Sequence, residues 1–217
     1  MIEAESWLVV APHPDDEVLG CGGTLALAAE RGARVHVVVV FDGAAGDPEG
    51  RFERAGYVER RRREARAAGA RLGLVDYSFW NLPEGHLASE HDLDAGARRL
   101  GALIDELRPD VVLAPWAGDD HPDHRIVARA VQRLIEHAGH ARHCAPPPLG
   151  FWGFEVWSPL EPQHLVDVST VWERKLDALR RHVTQLAYDD LAEKVTALAT
   201  RHDAGLLEAF VQLEVGS

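Results

Sequence analysis

The sequence predicts a Rossmann-like α/β domain with a mainly parallel central sheet. Three observations lead to this prediction. Short, continuous apolar runs rich in valine alternate with amphipathic helical patterns, this alternation recurs over roughly the first 140 residues, and loops rich in glycine and proline separate the runs. Strands of a parallel sheet are buried on both faces, so they are apolar throughout. Repeated strand and helix units of this kind fold with helices on both faces of the sheet.

The predicted elements of the first half follow one another as strand and helix. Four apolar runs are predicted to be strands, at Leu8–Ala11, Val35–Phe41, Tyr77–Trp80 and Val111–Ala114. Four helices are predicted by amphipathic patterns, at Glu17–Arg31, Phe52–Leu72, Asp94–Leu107 and Pro122–His137. Two of the loops, Asp42–Gly50 and Asn81–Asp92, are rich in glycine, proline and acidic residues and are of the kind that carries specificity on an α/β scaffold.

The pattern changes after the Pro-rich stretch Ala145–Pro148. The later part is predicted to hold two short strands, in FWGFEVW and HLVDVS, and two helices, at about Thr170–His182 and Tyr188–Arg201. No repeat or low-complexity linker divides the chain, so we expect one domain over residues 1–217. About 1–143 would form the Rossmann-like core, and about 144–217 would extend the sheet and cover the site.

Composition and charge exclude several classes of partner. The formal net charge of −12 opposes binding to a nucleic-acid backbone or to an anionic membrane surface. No apolar run approaches the roughly 18 residues of a membrane span, and no signal-peptide pattern is recognised. Two cysteines without CxxC spacing do not form a disulfide framework. We therefore expect a cytoplasmic protein without nucleic-acid or membrane partners.

The first candidate site is the segment APHPDDE, Ala11–Glu17, where the first strand ends and the first helix begins. Ligands of open α/β sheets bind beyond the carboxyl ends of the strands, near the point where the strand order reverses. Helix capping would explain the acidic residues, because aspartate is a favoured N-cap. Capping does not explain His13, whereas His13 and Asp16 can converge on one metal ion across a single turn.

The second candidate site is the segment GDDHPDHR, Gly118–Arg125, which follows the strand Val111–Ala114 and opens another helix. His121 and His124 are three residues apart, so they share a face of that helix or its entrance. Two His/Asp clusters at the carboxyl ends of two strands of one sheet are hard to explain as coincidence. The sequence therefore predicts a metal site that the two segments share.

The ligand types indicate which metal is bound and what it does. Two imidazoles and one carboxylate, with a fourth position open to water, form a catalytic zinc site, whereas structural zinc sites are typically closed by cysteines. Zinc lowers the pKa of its bound water to about 7 and polarises a carbonyl oxygen. The protein would then supply a base for the proton of the water and an acid or oxyanion donor.

The two motifs together resemble the LmbE or PIG-L deacetylase family, through APHPDDE followed by GCGG and through DDHPDHR. The likeness extends over most of the chain and implies the LmbE-like, three-layer α/β/α form of the fold. It implies that His13, Asp16 and His124 bind Zn²⁺, with other divalent metals as substitutes. It also implies that Asp15 is the general base and that His121 stabilises the oxyanion or protonates the leaving amine.

The same resemblance extends to residues beyond the metal ligands. Asp123 would be a partner that orients the catalytic groups. Arg61 and Glu64, in the RRRE run of the second helix, are similar to the RxxE element of the family, so Arg61 is the predicted substrate-binding residue. The neighbouring arginines are interpreted as a solvated helix surface. Three later residues match a familiar spacing but receive no role: Lys175, His182 and Gln185.

The predicted function is zinc-dependent hydrolysis of an amide, and the resemblance implies a small N-acetylated, glucosamine-type substrate. Three alternatives are weighed: an amidase that acts on a larger sugar-thiol conjugate, a nucleotide-binding oxidoreductase, and a metal-binding protein without turnover. The GCGG segment disfavours the oxidoreductase, because its glycines lie inside a predicted helix and lack GxGxxG spacing. These glycines are interpreted as permitting close helix packing. Asp15 and His121 beside the ligands favour an enzyme, and a homo-oligomer is left open.

Overall fold

A computed structural model describes residues 4–140, 150–202 and 204–213. Within these residues one sheet contains β1 (Ser6–Ala11), β2 (Arg34–Phe41), β3 (Asp76–Leu82), β4 (Val111–Pro115), β5 (Gly150–Phe154), β6 (His164–Asp167) and β7 (Leu207–Gln212). The strand order is β3-β2-β1-β4-β5-β7-β6, and only β7 is antiparallel to its neighbours. The predicted mainly parallel sheet is therefore confirmed. The stretch Ala145–Pro148 and the predicted boundary near residue 143 lie outside the described residues.

The helices of the described residues are α1 (Asp16–Glu30), α2 (Tyr57–Leu72), α3 (Glu90–Leu107), α4 (Pro122–His140), α5 (Trp172–Leu179), α6 (Val183–Leu186) and α7 (Leu191–Thr200). α2 begins later than predicted because Gly56 adopts a left-handed φ of 88°. The helix predicted at about Thr170–His182 is shorter than expected, because α5 ends at Leu179. A separate short helix, α6, begins only after His182, whose ψ of 59° is not helical. No helix in the described part of the chain is long and apolar enough to cross a membrane.

The sheet is buried on both faces, as the continuous apolar runs predict. Trp7 and Val9 of β1 pack into a core with side chains of α1, α2, α5 and α7. Leu8 and Val10 point to the opposite face and pack with side chains of α3 and α4. Successive side chains of a strand point to opposite faces, so one strand contributes to both cores. The result is a three-layer α/β/α arrangement.

Helix α1 is interrupted at Cys21, whose φ of −138° is not helical. The carboxylate of Glu208 on β7 accepts hydrogen bonds from the backbone N–H groups of Gly23 and Thr24, at 2.8 and 2.7 Å. Lys175 Nζ lies 2.7 Å from Glu208 Oε1 and also donates to a backbone carbonyl of α1. The buried pair of Lys175 and Glu208 thus satisfies the backbone groups that the interruption leaves without helical partners.

The GCGG segment lies inside α1, where its glycines permit close packing. A Cβ atom on Gly20 would lie 2.2 Å from Phe154 Cδ2, and one on Gly23 would lie 2.6 Å from Val168 Cβ. Both distances are well below van der Waals contact, so a larger residue would push α1 away from its neighbours. This agrees with the packing interpretation of the motif.

Replacing Glu208 by alanine is expected to destabilise the fold by about 3–5 kcal/mol, because it leaves the buried Lys175 charge without its partner. Chemical denaturation measures the effect. Arg129→Ala is the matched control, since it breaks an exposed ion pair with Glu90 and should cost no more than about 1 kcal/mol. Equal losses from the two variants would contradict the structural role of Glu208.

Candidate metal and active site

The two predicted motifs meet at the carboxyl ends of β1 and β4. These strands are parallel neighbours, and the strand order reverses between them, with β2 and β3 on one side and β4 and β5 on the other. APHPDDE connects β1 to α1, and DDHPDHR connects β4 to the first turn of α4. Ligands of open α/β sheets bind at this kind of crevice.

Asp16 lies between two histidines of the two motifs. Its Oδ2 atom is 3.2 Å from His13 Nδ1 and 3.1 Å from His124 Nε2. Asp16 and His124 are almost completely buried. His121 is close as well, since the nitrogens of His13, His121 and His124 lie within 4.8 Å of one another and form a group that could hold a metal ion. The fold therefore brings together all three predicted ligands and His121.

Each of these two histidines also faces a second carboxylate. His13 Nε2 lies 3.1 Å from Asp123 Oδ2, and His124 Nδ1 lies 3.0 Å from Asp119 Oδ1. Histidines that bind metals typically donate the other ring N–H to a carboxylate, which fixes the tautomer and the ring orientation. The arrangement of imidazole and carboxylate around Asp16 therefore fits a bound divalent cation.

Asp119 is a residue of the site that the sequence analysis missed. It is fully buried, and its carboxylate accepts hydrogen bonds from the backbone N–H groups of His121 and Trp157, at 3.0 and 2.9 Å. A metal-binding imidazole typically contacts a carboxylate that does not itself bind the metal, and this general requirement could have pointed to an aspartate of the second motif. Spacing alone did not show that Asp119, rather than the exposed Asp120, would face His124.

The ring nitrogens of His124 supply an independent indication of a metal. Both are buried, and neither makes a hydrogen bond of good geometry within the described residues, although carboxylate oxygens lie 3.0 and 3.1 Å away. A buried polar atom without a well-formed hydrogen bond is costly. A cation between His124 and Asp16 would give Nε2 a partner, so the residues present fit the implied metal.

The carboxylates control the protonation of the two imidazoles. Burial disfavours the charged form of His13, but hydrogen bonds with Asp123 and Asp16 outweigh it and raise the pKa of His13 to about 9. Burial is likewise outweighed at His124, where Asp16 and Asp119 raise the pKa to about 10. Three carboxylates around two imidazoles leave net negative charge even when both rings are protonated. The cluster is therefore electrostatically suited to a divalent cation.

Zinc binding to the metal-free protein near pH 7 is expected to release about two protons per ion. Both imidazoles carry an extra proton at this pH, because their pKa values of about 9 and about 10 lie above it. The metal binds the neutral ring, so apparent affinity should rise as the pH rises towards 9. Calorimetric titration in buffers of different ionisation enthalpy measures the release. Binding without proton release would contradict the assignment of His13 and His124.

His121 differs from the other two histidines in its hydrogen bonding. Its Nδ1 accepts a hydrogen bond from the backbone N–H of Asp123, at 3.2 Å. The proton of the neutral ring must therefore be on Nε2. Burial, together with the neighbouring His13 and His124, lowers the pKa of His121 below its usual value. The neutral ring is thus a donor at Nε2.

Asp15 forms a buried ion pair with Arg61. Arg61 Nη2 donates to Asp15 Oδ2 at 2.9 Å, and Nη1 donates to the carbonyl of Gly43 at 3.1 Å. Asp15 occupies the N-cap position of α1, but its side chain makes no capping hydrogen bond. Helix capping therefore does not account for Asp15. Arg61 therefore lies beside Asp15, and its contacts are with this carboxylate and a loop carbonyl rather than with open solvent.

Two other residues of the RRRE run differ in what they contact. Arg62 pairs with Glu59 on the α2 surface, at 3.1 Å. Glu64 faces inward, and its carboxylate accepts hydrogen bonds from Arg60 Nε and from the hydroxyl of Thr184 in α6, at 3.1 and 2.6 Å. The RxxE pair thus links the site to the C-terminal part of the chain.

Two loops and the segment after α5 enclose the site. The loop that follows β2 is held by Gln185 Nε2, which donates to Gly46 O at 3.2 Å. The loop that follows β3 donates a hydrogen bond from Gly85 N–H to Asp123 Oδ1, at 3.0 Å. His182 is fully buried, and its Nε2 has no hydrogen-bond partner among the described residues. Lys175, His182 and Gln185 are the three residues without a predicted role. Lys175 contacts the backbone of α1, whereas His182 and Gln185 lie beside the site in the segment that follows α5.

Comparison with known proteins identifies relatives of matching fold and sequence. The chain is 28% identical to a probable N-acetyl-α-D-glucosaminyl L-malate deacetylase 2 of Bacillus cereus, over 95% of this chain and 94% of that protein. It is 34% identical to a 1D-myo-inositol 2-acetamido-2-deoxy-α-D-glucopyranoside deacetylase 2 of Catenulispora acidiphila, over 64% of this chain, and spans about half (54%) of that protein. A 4-oxalmesaconate hydratase of Pseudomonas putida is also 28% identical, over 81% of this chain and 72% of that protein.

The fold has close counterparts among solved structures. The N,N'-diacetylchitobiose deacetylase of Pyrococcus horikoshii superimposes with a TM-score of 0.80 at 21% identity, over 97% of this chain and 84% of that chain. Residues 8–135 match the family described as PIG-L: GlcNAc-PI de-N-acetylase, which is more than half of the chain and includes both motifs. The chain therefore belongs to the PIG-L family, as the resemblance of its two motifs predicts.

Proposed function

We propose that this protein is a metal-dependent deacetylase that hydrolyses the N-acetyl group of a small N-acetylglucosamine-type substrate. The observation that carries the proposal is the convergence of His13, Asp16 and His124 at one point, each imidazole backed by a separate carboxylate. The deacetylase relatives support the substrate class, because their names share an N-acetylated glucosamine unit. The hydratase relative shows that similarity at this level does not by itself fix the reaction.

We assign His13 Nδ1, Asp16 Oδ2 and His124 Nε2 as the ligands of a Zn²⁺ ion, with Asp119 and Asp123 orienting the rings. Bound zinc would supply a Lewis acid for the amide carbonyl and a water of lowered pKa. His121 is the competing ligand, but the backbone N–H of Asp123 already occupies its Nδ1 lone pair and leaves a proton on Nε2. Its Nε2 therefore suits donation rather than metal binding.

Asp15 is proposed as the general base. Arg61 engages its Oδ2 atom, whereas no described group bonds to Oδ1, so Oδ1 is available to take a proton from the attacking water. Arg61 holds the carboxylate in place, because its second donor is anchored on the Gly43 carbonyl. General base catalysis typically contributes about a hundredfold to ten-thousandfold to the rate.

His121 is proposed as the oxyanion donor. Its neutral ring carries a proton at Nε2, which can donate to the oxygen that becomes negative in the tetrahedral intermediate. The departing amine also needs a proton, and the proton that Asp15 has taken from water can serve this purpose. Asp123 then has two functions, since its carboxylate contacts His13 and its backbone N–H fixes the tautomer of His121.

We also propose that residues 1–217 act as one catalytic domain. Strands β5, β6 and β7 extend the same sheet, and Gln185 and Thr184 contact the loop and helix beside the site. The expected cytoplasmic location and a homo-oligomeric state stay predictions.

A substrate screen tests the proposed function. Zinc-loaded protein is expected to release acetate and free amine in equal amounts from at least one of N-acetylglucosamine, its inositol or malate conjugates, and diacetylchitobiose. Asp15→Asn protein of equal zinc content is the control for contaminating activity. Amine release without acetate from a larger sugar-thiol conjugate would favour the amidase alternative. Failure to release amine from any of these compounds would contradict the proposed substrate class.

A further inference from the structure

An open cleft of about 530 Å³ lies between α2 and the segment that joins α5 to α6. Four arginines line it: Arg60, Arg63, Arg180 and Arg181. None of the proposed ligands or catalytic residues contributes to its walls. The cleft is thus distinct from the metal centre, although Arg61 on the same helix reaches Asp15.

The four arginines are only partly neutralised. Arg60 pairs with Glu64, and Arg181 pairs with Asp177 at 2.7 Å. Arg63 and Arg180 have no carboxylate partner among the described residues, and the buried Nε atom of Arg181 has no hydrogen-bond partner there. Several guanidinium donors at one cleft are therefore without a protein acceptor in the described part of the chain.

Glu64 does not balance the remaining charge. Both of its carboxylate oxygens are engaged, one by Arg60 and the other by the backbone N–H and hydroxyl of Thr184. The cleft is thus locally positive in a chain whose formal net charge is −12. Gathering like charges at one cleft is electrostatically unfavourable, and a bound anion would relieve the repulsion.

We propose that this cleft binds a small molecule that bears a phosphate-type oxyanion. The planar forks of guanidinium groups match the oxygens of such an anion and can bind them with two hydrogen bonds each. Arg63 and Arg180 supply the free forks, one from each wall. Ala67 and Val183, the latter 51% exposed, offer apolar contact to the remainder of the ligand.

Phenyl phosphate is a suitable probe, because it combines a dianion with an apolar ring. In ¹⁵N-labelled, zinc-loaded full-length protein at constant ionic strength, titration is expected to shift the Arg63 and Arg180 guanidinium signals and the Val183 amide in a saturable manner. Arg63→Gln/Arg180→Gln should weaken this binding at least about tenfold, since two charge-assisted contacts are lost. Both side chains are exposed, so the substitution should leave the fold intact.

Arg66→Gln/Arg98→Gln is the matched control, because it removes two exposed arginines that do not line the cleft. This control should bind the probe as the native protein does. Equal weakening by the two double variants would overturn the proposal, since it would indicate attraction to overall charge. Shifts confined to the metal-site histidines, or shifts that never saturate, would also overturn it.

Discussion

His124→Ala is expected to remove the tightly bound metal ion and nearly all turnover. His124 is fully buried between Asp16 and Asp119, so its loss removes one of the three proposed ligands and leaves two carboxylates facing an empty volume. The affinity for the metal should fall by more than the roughly tenfold to hundredfold loss that is typical when a carboxylate partner of a metal ligand is removed. Asp119→Asn should fall within that smaller range. The metal affinities of the two variants are measured by metal content after purification and by metal titration.

His36→Ala is the control for the loss of an imidazole elsewhere. His36 lies on β2, is half-buried and contacts Ser78, so this variant should keep full metal content. Thermal unfolding of the metal-free proteins checks that His124→Ala still folds. A folded His124→Ala protein with native metal affinity would remove His124 from the ligand set and favour His121 in its place.

Asp15→Asn is expected to lower turnover by about a hundredfold to ten-thousandfold while the metal content stays unchanged. The amide has nearly the shape of the carboxylate but cannot take a proton from water. Steady-state kinetics with zinc-loaded protein measures the loss. Asp120→Asn makes the same change at an exposed position of the second motif and should retain activity. Native turnover in Asp15→Asn would contradict the proposed mechanism.

Arg61→Ala distinguishes two roles for the arginine that contacts Asp15. A substrate-binding residue would raise KM with little change in kcat, as the sequence predicts. The ion pair with Asp15 supports a further expectation, a lower kcat, because the proposed base would lose the group that holds its Oδ2 atom. Arg62→Ala, which breaks a pair on the α2 surface, is the control.

The sequence alone determined the fold class and the general location of the site. Runs such as VHVVVVF and the helical periods between them depend only on local patterns of burial, so they predict a doubly covered parallel sheet. The two motifs were expected to meet because each follows the end of a strand, and the ends of parallel strands lie at one edge of the sheet. The choice of His13, Asp16 and His124 as the metal ligands came from the resemblance of these motifs to the PIG-L family. The spacing of residues along the chain is sufficient for these predictions, because backbone geometry fixes which residues of a strand or helix share a face.

The tertiary structure decided which side chains pair. Asp119, rather than Asp120, faces His124, Asp15 contacts an arginine 46 residues away, and the backbone of Asp123 selects the tautomer of His121. The Arg63 and Arg180 cleft likewise depends on α2 and the segment that joins α5 to α6, which are distant in sequence. These contacts arise from the packing of α2, α4 and the C-terminal segment around the sheet. Periodicity along the chain assigns a residue to a face of its element, but only the packed arrangement of elements gives it a partner.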